Sequence, residues 1–235
     1  MTETPSPEPD VPNVSWSEVV RFVRQLSHDL RNNLNAAELQ SAYLGELAQD
    51  PELKEEIKRL RQMMSELGTA LQKLTASLGH VKPALMPYPA SDFAEDVRRK
   101  VVNDFPKGAP TIDWQTNLPT VNLEIDPQLL QQSILELFAN AYRHQPSGGP
   151  LKATFQIEGN SFVFRLHEPK TKFDLPTENW GREPLRSIGH GHYGLGLNRV
   201  RTIAEAHGGS LRAQYDPGSS TLVTTISVPL PSGGS

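Results

Sequence analysis

The chain has 235 residues, of which 37% are hydrophobic and 21% are charged, and its formal net charge is −4. These fractions are typical of a folded globular protein of one or two domains, so disorder throughout the chain is excluded. No run of Lys and Arg resembles the basic stripe that phosphate backbones attract, which makes nucleic acid an unexpected partner. The sequence contains no cysteine, which excludes disulfides and thiolate metal sites and is compatible with a reducing compartment.

Residues 1–14 are rich in proline and lack the basic start and apolar centre of a signal peptide. No apolar run approaches the roughly 20 residues that cross a bilayer. We therefore expect a disordered lead into a cytoplasmic protein, without direct membrane insertion.

The first helix is predicted to begin at Ser15, because Ser15 and Glu18 have the spacing of a capping box. Its apolar residues fall on the a and d positions of one heptad frame: Val23, Leu26, Leu30, Ala37, Leu44 and Leu47. The helix should end near Asp50, which can cap a second helix that starts at Pro51.

The second helix has apolar residues at alternating steps of four and three, which is coiled-coil spacing. They are Leu53, Ile57, Leu60, Met64, Leu67, Leu71, Leu74 and Leu78. Two helices of this kind cannot cover their own apolar faces. We therefore predict an antiparallel hairpin over residues 15–81 that pairs with a second copy as a four-helix bundle. A hairpin laid against the second domain is the alternative.

Residues 82–90 contain prolines that break the helical pattern and are predicted to form a linker. Residues 91–230 have mixed patterning, and residues 231–235 form a tail. Helices are predicted near 92–102, 127–143 and 196–207, and strands near 111–114, 121–125, 151–157, 162–166, 210–215 and 221–228. The expected fold class is therefore α+β, with a helical hairpin followed by a sheet that carries three helices on one face.

His28 occupies heptad position f, so its imidazole should face water. Asp29 adjoins it, and Asn32 lies one turn further along the same face. A neutral imidazole is a nucleophile, and a neighbouring carboxylate can take its proton or hold its tautomer. By itself, however, an exposed His–Asp pair on a helix is usually solvated surface.

Two further segments carry groups that suit a nucleotide. Glu136, Asn140 and Arg143 share one helix face, where carboxylate and amide oxygens suit Mg²⁺ and the guanidinium suits phosphate. A helix with a polar surface explains the same residues. Residues 189–196 are rich in glycine and lead into a helix, whose first amides attract anions.

These segments together resemble the two-component histidine kinases over roughly residues 15–230. Residues 27–34 resemble the phosphoacceptor box, residues 136–143 the asparagine box, and residues 189–197 with 205–209 the second glycine box. The resemblance implies a dimerisation and histidine phosphotransfer hairpin, followed by a GHKL-like (Bergerat) α/β sandwich that binds ATP and Mg²⁺.

The resemblance also implies roles for single residues. His28 would be the phosphoacceptor, Asp29 its acid–base partner, and Asn32 the residue that orients water in a phosphatase reaction. The chain has Asn33 where the family usually has proline, which removes a kink and no reactive group.

In the ATP-binding domain, Asn140 corresponds to the Mg²⁺-binding residue and Arg143 to a phosphate-contacting residue. Glu136 replaces the first asparagine of its box, as in the related chaperone, gyrase and mismatch-repair ATPases, where a glutamate activates water. The residues of the second glycine box that would bind the nucleotide are Gly191, Gly194, Leu195 and Gly196.

The first glycine box departs from the family. Glu168 stands at the place of the aspartate that accepts a hydrogen bond from the adenine amino group, and Lys170 and Lys172 replace the two glycines. Glu168 can still accept that bond, while the lysines bring side chains into a tight space.

Two functions remain open. The first is a histidine kinase that phosphorylates His28 from Mg·ATP, passes the phosphoryl group to an aspartate of a response regulator receiver domain, and also acts as a phosphatase. The second, favoured by the altered first glycine box, is a dimeric phosphotransferase that binds no ATP and relays phosphate between regulators. A scaffold that only dimerises would leave His28 without a purpose.

Overall fold

The computed structural model describes residues 15–79, 81–108, 111–144, 149–174, 176–178, 180–182 and 195–231. The chain forms two compact units, one that ends at Gly79 and one that follows it. In chain order the elements are α1 (Trp16–Leu47), α2 (Pro51–Ser77), β1 (Met86–Pro89), α3 (Ala90–Asp104), β2 (Asp113–Asn117), β3 (Asn122–Ile125), α4 (Pro127–Arg143), β4 (Lys152–Glu158), β5 (Ser161–Pro169), α5 (Gly196–Ala206), β6 (Ser210–Asp216) and β7 (Thr221–Pro229). Within the described ranges, none of the helices has an apolar stretch of the length that crossing a membrane requires.

The first unit is a hairpin of α1 and α2, and its ends are capped as the sequence predicts. The Glu18 amide donates to Ser15 Oγ at 3.3 Å, and the Ser15 amide donates to Glu18 Oε2 at 2.9 Å. At the turn, the Glu52 amide donates to Asp50 Oδ1 at 2.9 Å, and Pro51 is the first residue of α2. These caps satisfy amides that have no partner inside the helices.

The face of α1 that is buried within the hairpin carries small residues rather than the predicted leucine positions. Ser27, Ser41 and Ala48 are all less than 9% exposed, and the Ser41 hydroxyl donates to a backbone carbonyl of its own helix. A Cβ at Gly45 would lie 3.5 Å from a methyl group of Ile57, so the two helices are close at this level. Small side chains allow this approach, which large leucines would prevent.

Seven leucines of the heptad frame remain exposed on the hairpin. We call them the leucine row, and each is between 40% and 59% exposed: Leu26, Leu30, Leu44 and Leu47 in α1 and Leu53, Leu60 and Leu67 in α2. The two helices of one chain thus leave these seven positions uncovered, while Met64 of the same frame is buried.

The second unit is a five-stranded sheet in the order β2-β4-β5-β7-β6, accompanied by a two-stranded β1-β3 sheet. Neighbours in the larger sheet are antiparallel except for the parallel β2-β4 pair. Buried residues of α3, α4 and α5 form one core with the strands. Phe162, Phe164 and Leu166 alternate on the buried face of β5, and the rings of Phe155 and Phe164 lie 5.0 Å apart.

Three predicted segments differ from the structure. Met86–Pro89 lies within the predicted linker but forms strand β1, antiparallel to β3. Its two prolines and its mostly exposed residues show no alternation, so only the partner strand reveals it. The strand expected at 111–114 is Asp113–Asn117, and the helix expected at 92–102 is Ala90–Asp104.

A buried histidine joins the start of α4 to the end of α5. His207 Nε2 accepts from the Asp126 amide at 3.0 Å, and Nδ1 lies 2.7 Å from the Ile203 carbonyl. A carbonyl only accepts, so Nδ1 is the donor in this contact, while Nε2 is the acceptor from the amide. Gly208 then ends α5 with a φ of +72°, a conformation that glycine adopts without strain.

Candidate functional site

The first candidate site is the exposed ridge of α1 around His28. The side chain of His28 is 67% exposed and that of Asp29 is 56% exposed, with Nδ1 and Oδ1 3.3 Å apart. Asp29 Oδ1 also accepts from Gln25 Nε2 at 2.9 Å. Hydrogen bonds from His28 and then from Gln25 hold the pKa of Asp29 below its usual value.

This contact selects a tautomer of His28. An ionised carboxylate can only accept a hydrogen bond, so Nδ1 must carry the hydrogen that faces Asp29. The lone pair of a neutral ring then resides on Nε2. The Asn32 amide nitrogen lies 3.5 Å from the same Nδ1, so the predicted triplet of imidazole, carboxylate and amide is brought together.

The second candidate site lies in the second unit and begins on α4. Arg143 donates to Asn140 Oδ1 at 2.9 Å, so the amide and the guanidinium are neighbours on one helix face. The Glu136 carboxylate lies directly against Gly196, where a Cβ would overlap it. A carboxylate at the first residue of α5 is stabilised by the amides of the helix start.

The predicted second glycine box is only partly within the described residues. Gly191 and Gly194 lie outside them. Leu195 is 4% exposed and is the N-cap residue of α5, but it provides no side-chain cap. Among the described residues of this box, Gly196 lies next to Glu136, which the sequence analysis also assigned to the nucleotide site.

Glu168 and Lys170 form a buried ion pair at the end of β5. They are 8% and 6% exposed, with Lys170 Nζ 3.4 Å from Glu168 Oε2. Burial raises the pKa of Glu168, and the Lys170 charge opposes that shift. Lys172, by contrast, is 80% exposed and pairs with Asp174 at 2.9 Å. The two lysines that replace glycines therefore have different surroundings.

Sequence reasoning missed both partners of Lys170, the Glu168 carboxylate and a backbone carbonyl. Its ammonium donates to the His144 carbonyl at 2.5 Å, at the C-terminal end of α4. The alternation of β5 could have indicated that Lys170 is buried, because the inward positions 162, 164, 166 and 168 continue to 170. The carbonyl acceptor could not be predicted, since it depends on how α4 packs on the sheet.

Comparison with known proteins identifies an ATPase segment in the second unit. Residues 125–232 match the family described as histidine kinase-, DNA gyrase B-, and HSP90-like ATPase. The sensory histidine kinase/phosphatase NtrB of Klebsiella oxytoca is 26% identical over 226 residues, which cover 89% of this chain and 61% of that protein. A sensor-like histidine kinase of Rhizobium meliloti, R01002, is 21% identical over 229 residues, 91% of this chain and 43% of that protein.

Residues 125–232 therefore belong to this ATPase family, and over most of its length the chain is similar to two-component sensor histidine kinases. It spans less than two thirds of the length of either relative. The matched ATPase segment contains every residue that the sequence assigns to nucleotide binding, from Glu136 to Gly196.

The fold agrees with solved structures of comparable proteins. Full-length ShkA, solved in complex with AMPPNP, superposes with a TM-score of 0.68 at 18% identity, covering 92% of this chain and 47% of that chain. The histidine kinase AdeS of Acinetobacter baumannii has a TM-score of 0.52 at 17% identity, covering 86% and 96%. The predicted fold class, a helical region followed by an α/β domain of the GHKL type, is confirmed.

Proposed function

We propose that this chain transfers the γ-phosphoryl group of Mg·ATP to His28 and then to an aspartate in the receiver domain of a response regulator. The main support is the exposed imidazole of His28, whose Nδ1 contacts the Asp29 carboxylate at 3.3 Å. An exposed nucleophile on a helix can be reached both by a phosphoryl donor and by a partner protein.

In the first step, the Nε2 lone pair of His28 attacks the γ-phosphorus. The N–P bond forms while the bond from phosphorus to the bridging oxygen breaks, and ADP leaves with that electron pair. The phosphorylated ring is positively charged, and Asp29 stabilises that charge or accepts the Nδ1 proton. In the second step, a carboxylate oxygen of the regulator attacks the same phosphorus, and Nε2 leaves.

The nucleotide would be held by the second unit. Asn140 would offer an amide oxygen to Mg²⁺, Arg143 would contact phosphate, and Glu168 would accept from the adenine amino group. Bound Mg²⁺ would neutralise phosphate charge, and its other ligands would be phosphate oxygens and water. In the described part of the chain, no three His, Asp or Glu side chains cluster closely enough to hold an ion, which fits an ion delivered with its nucleotide.

The remaining residues have supporting roles. Gly191, Gly194, Leu195 and Gly196 would bring backbone amides to the phosphates at the start of α5. Glu136, which lies against Gly196, would act as a carboxylate base beside them. Asn32 would orient a water molecule for dephosphorylation of the regulator.

We also propose that a second copy of this chain covers the leucine row and completes a four-helix bundle. Burying one leucine side chain contributes about 1.5–3 kcal/mol, and the row has seven leucines that are at least 40% exposed. A pair of hairpins would bury these positions together.

A phosphotransferase that needs no ATP is the second candidate. The Glu168–Lys170 ion pair favours it, because the carboxylate proposed to bind adenine already has a cationic partner. In this function His28 receives phosphate from one regulator and passes it to another.

Labelling experiments separate the two functions. Incubation with γ-labelled ATP and Mg²⁺ should give an acid-labile, base-stable label that is lost in His28→Ala and kept in Asn35→Ala, which changes the same heptad position one repeat later. If the protein is labelled only by a phosphorylated regulator, the relay is correct. If neither donor labels His28, both functions are wrong.

A further inference from the structure

Two charged side chains continue the buried row of β5. Phe162, Phe164 and Leu166 are at most 1% exposed, and Glu168 and Lys170 follow at 8% and 6%. Burying a charge is costly unless the charge is paired and hydrogen-bonded. Glu168 and Lys170 therefore need partners that compensate for the burial of their charges.

Each polar group of Lys170, in the side chain and in the backbone, has a partner. Its ammonium pairs with Glu168 at 3.4 Å and donates to the His144 carbonyl at 2.5 Å. Its amide donates to the Ser220 carbonyl at 2.7 Å, and its carbonyl accepts from the Tyr215 hydroxyl at 3.0 Å. Lys170 is thus held by both its backbone and its side chain.

The ammonium also connects two parts of the proposed nucleotide site. His144 follows Asn140 by one helical turn, and its amide donates to the Asn140 carbonyl at 3.0 Å. Lys170 therefore spans from the end of the helix that carries Asn140 and Arg143 to the carboxylate of Glu168. The carbonyls at a helix C-terminus carry partial negative charge, which favours a cation there.

We propose that Lys170 is a built-in competitor for the purine base, which occupies Glu168 and so lowers the affinity of the second unit for ATP. This inference rests on the proposed function, in which Glu168 accepts from the adenine amino group. A base must displace an ammonium to reach that carboxylate. The ammonium is the stronger partner, because its hydrogen bond to the carboxylate is charge-assisted on both sides, whereas the adenine amino group is neutral.

The experiment compares Lys170 with Lys172 in the full chain. Calorimetric titration with Mg·ATP should show that Lys170→Ala binds at least about tenfold more tightly than the unaltered protein, a difference of about 1.4 kcal/mol. The affinity of Lys172→Ala for Mg·ATP should stay within about twofold of the unaltered protein. That lysine is 80% exposed and pairs with Asp174 on the surface. Lys170→Arg keeps the charge and should keep the weak affinity. Lys170→Met, which preserves volume without charge, replaces Lys170→Ala if the alanine variant does not fold.

The outcomes have different meanings for the two proposals. If Lys170→Ala and the unaltered protein bind equally, if the variant binds more weakly, or if neither binds, Lys170 is not what limits affinity and the inference is overturned. If His28 of the unaltered protein is labelled by ATP but Lys170→Ala does not bind Mg·ATP more tightly, the kinase function stands without the inference. If the variant gains affinity but His28 is never labelled, the inference stands and the kinase function fails.

Discussion

At the scale of single residues, the proposed chemistry depends on one contact on an exposed helix. Asp29 faces Nδ1 of His28, which leaves the lone pair of the neutral ring on Nε2. The sequence predicts this neighbourhood because residues at i, i+1 and i+4 share a helix ridge. The tautomer follows only from the observed distance between Nδ1 and the carboxylate oxygen.

Asp29→Asn should slow the labelling of His28 by ATP by about a hundredfold, since a positioned acid–base group contributes about 10²–10⁴-fold. Hydrogen bonds lower the pKa of Asp29, so the carboxylate is ionised at neutral pH. Its contribution should therefore persist through neutral and mildly acidic pH, and disappear only as the pH falls through that lowered pKa. The initial labelling rate measured against pH tests this, and equal rates for both proteins at neutral pH would contradict it.

At the scale of elements, helix caps and strand alternation made most of the second unit predictable. The helix over Pro127–Arg143 is confirmed at both ends, because Asp126 caps it and Pro127 starts it. Strand β1 was missed, because a short strand with two prolines is recognised only by its pairing with β3. The link from α4 to α5 through His207 is also tertiary, since Asp126 and His207 are 81 residues apart.

His207→Leu should destabilise the second unit by about 1–3 kcal/mol, because it leaves the half-buried Asp126 amide without its acceptor. Chemical denaturation measures the loss, and hydrogen exchange at the Asp126 amide should become faster. Arg212→Ala, an exposed change on β6, is the control and should have little effect. An unchanged exchange rate at Asp126 in the leucine variant would show that the hydrogen bond does not protect this amide.

At the scale of the whole molecule, the hairpin uses two different surfaces of α1. Small residues such as Ser27 and Ser41 are buried within the hairpin, while the leucine row remains exposed. The heptad pattern therefore combines two sets of residues: some, such as Ile57 and Met64 of α2, are covered within the hairpin, while the leucine row is left exposed. A coiled-coil pattern alone does not distinguish these two uses.

Leu60→Glu should convert the proposed dimer to a monomer, because it places a charge in the leucine row, where Leu60 is 47% exposed. Sedimentation equilibrium measures the change. Leu39→Glu is the matched control, since Leu39 lies outside the row and is 75% exposed, and it should leave the oligomeric state unchanged. A monomeric unaltered protein, or a dimeric Leu60→Glu variant, would contradict the dimer.

The amino-acid pattern determined the hairpin, the order of helices and most strands, and the exposed ridge of His28, because periodicity and caps act over a few neighbouring residues. Tertiary packing decided which face of α1 meets α2 and where β1 pairs. It also decided that Lys170 reaches the His144 carbonyl while Lys172 remains in solvent. Those outcomes depend on distances between segments far apart in the chain, and no local pattern encodes such distances.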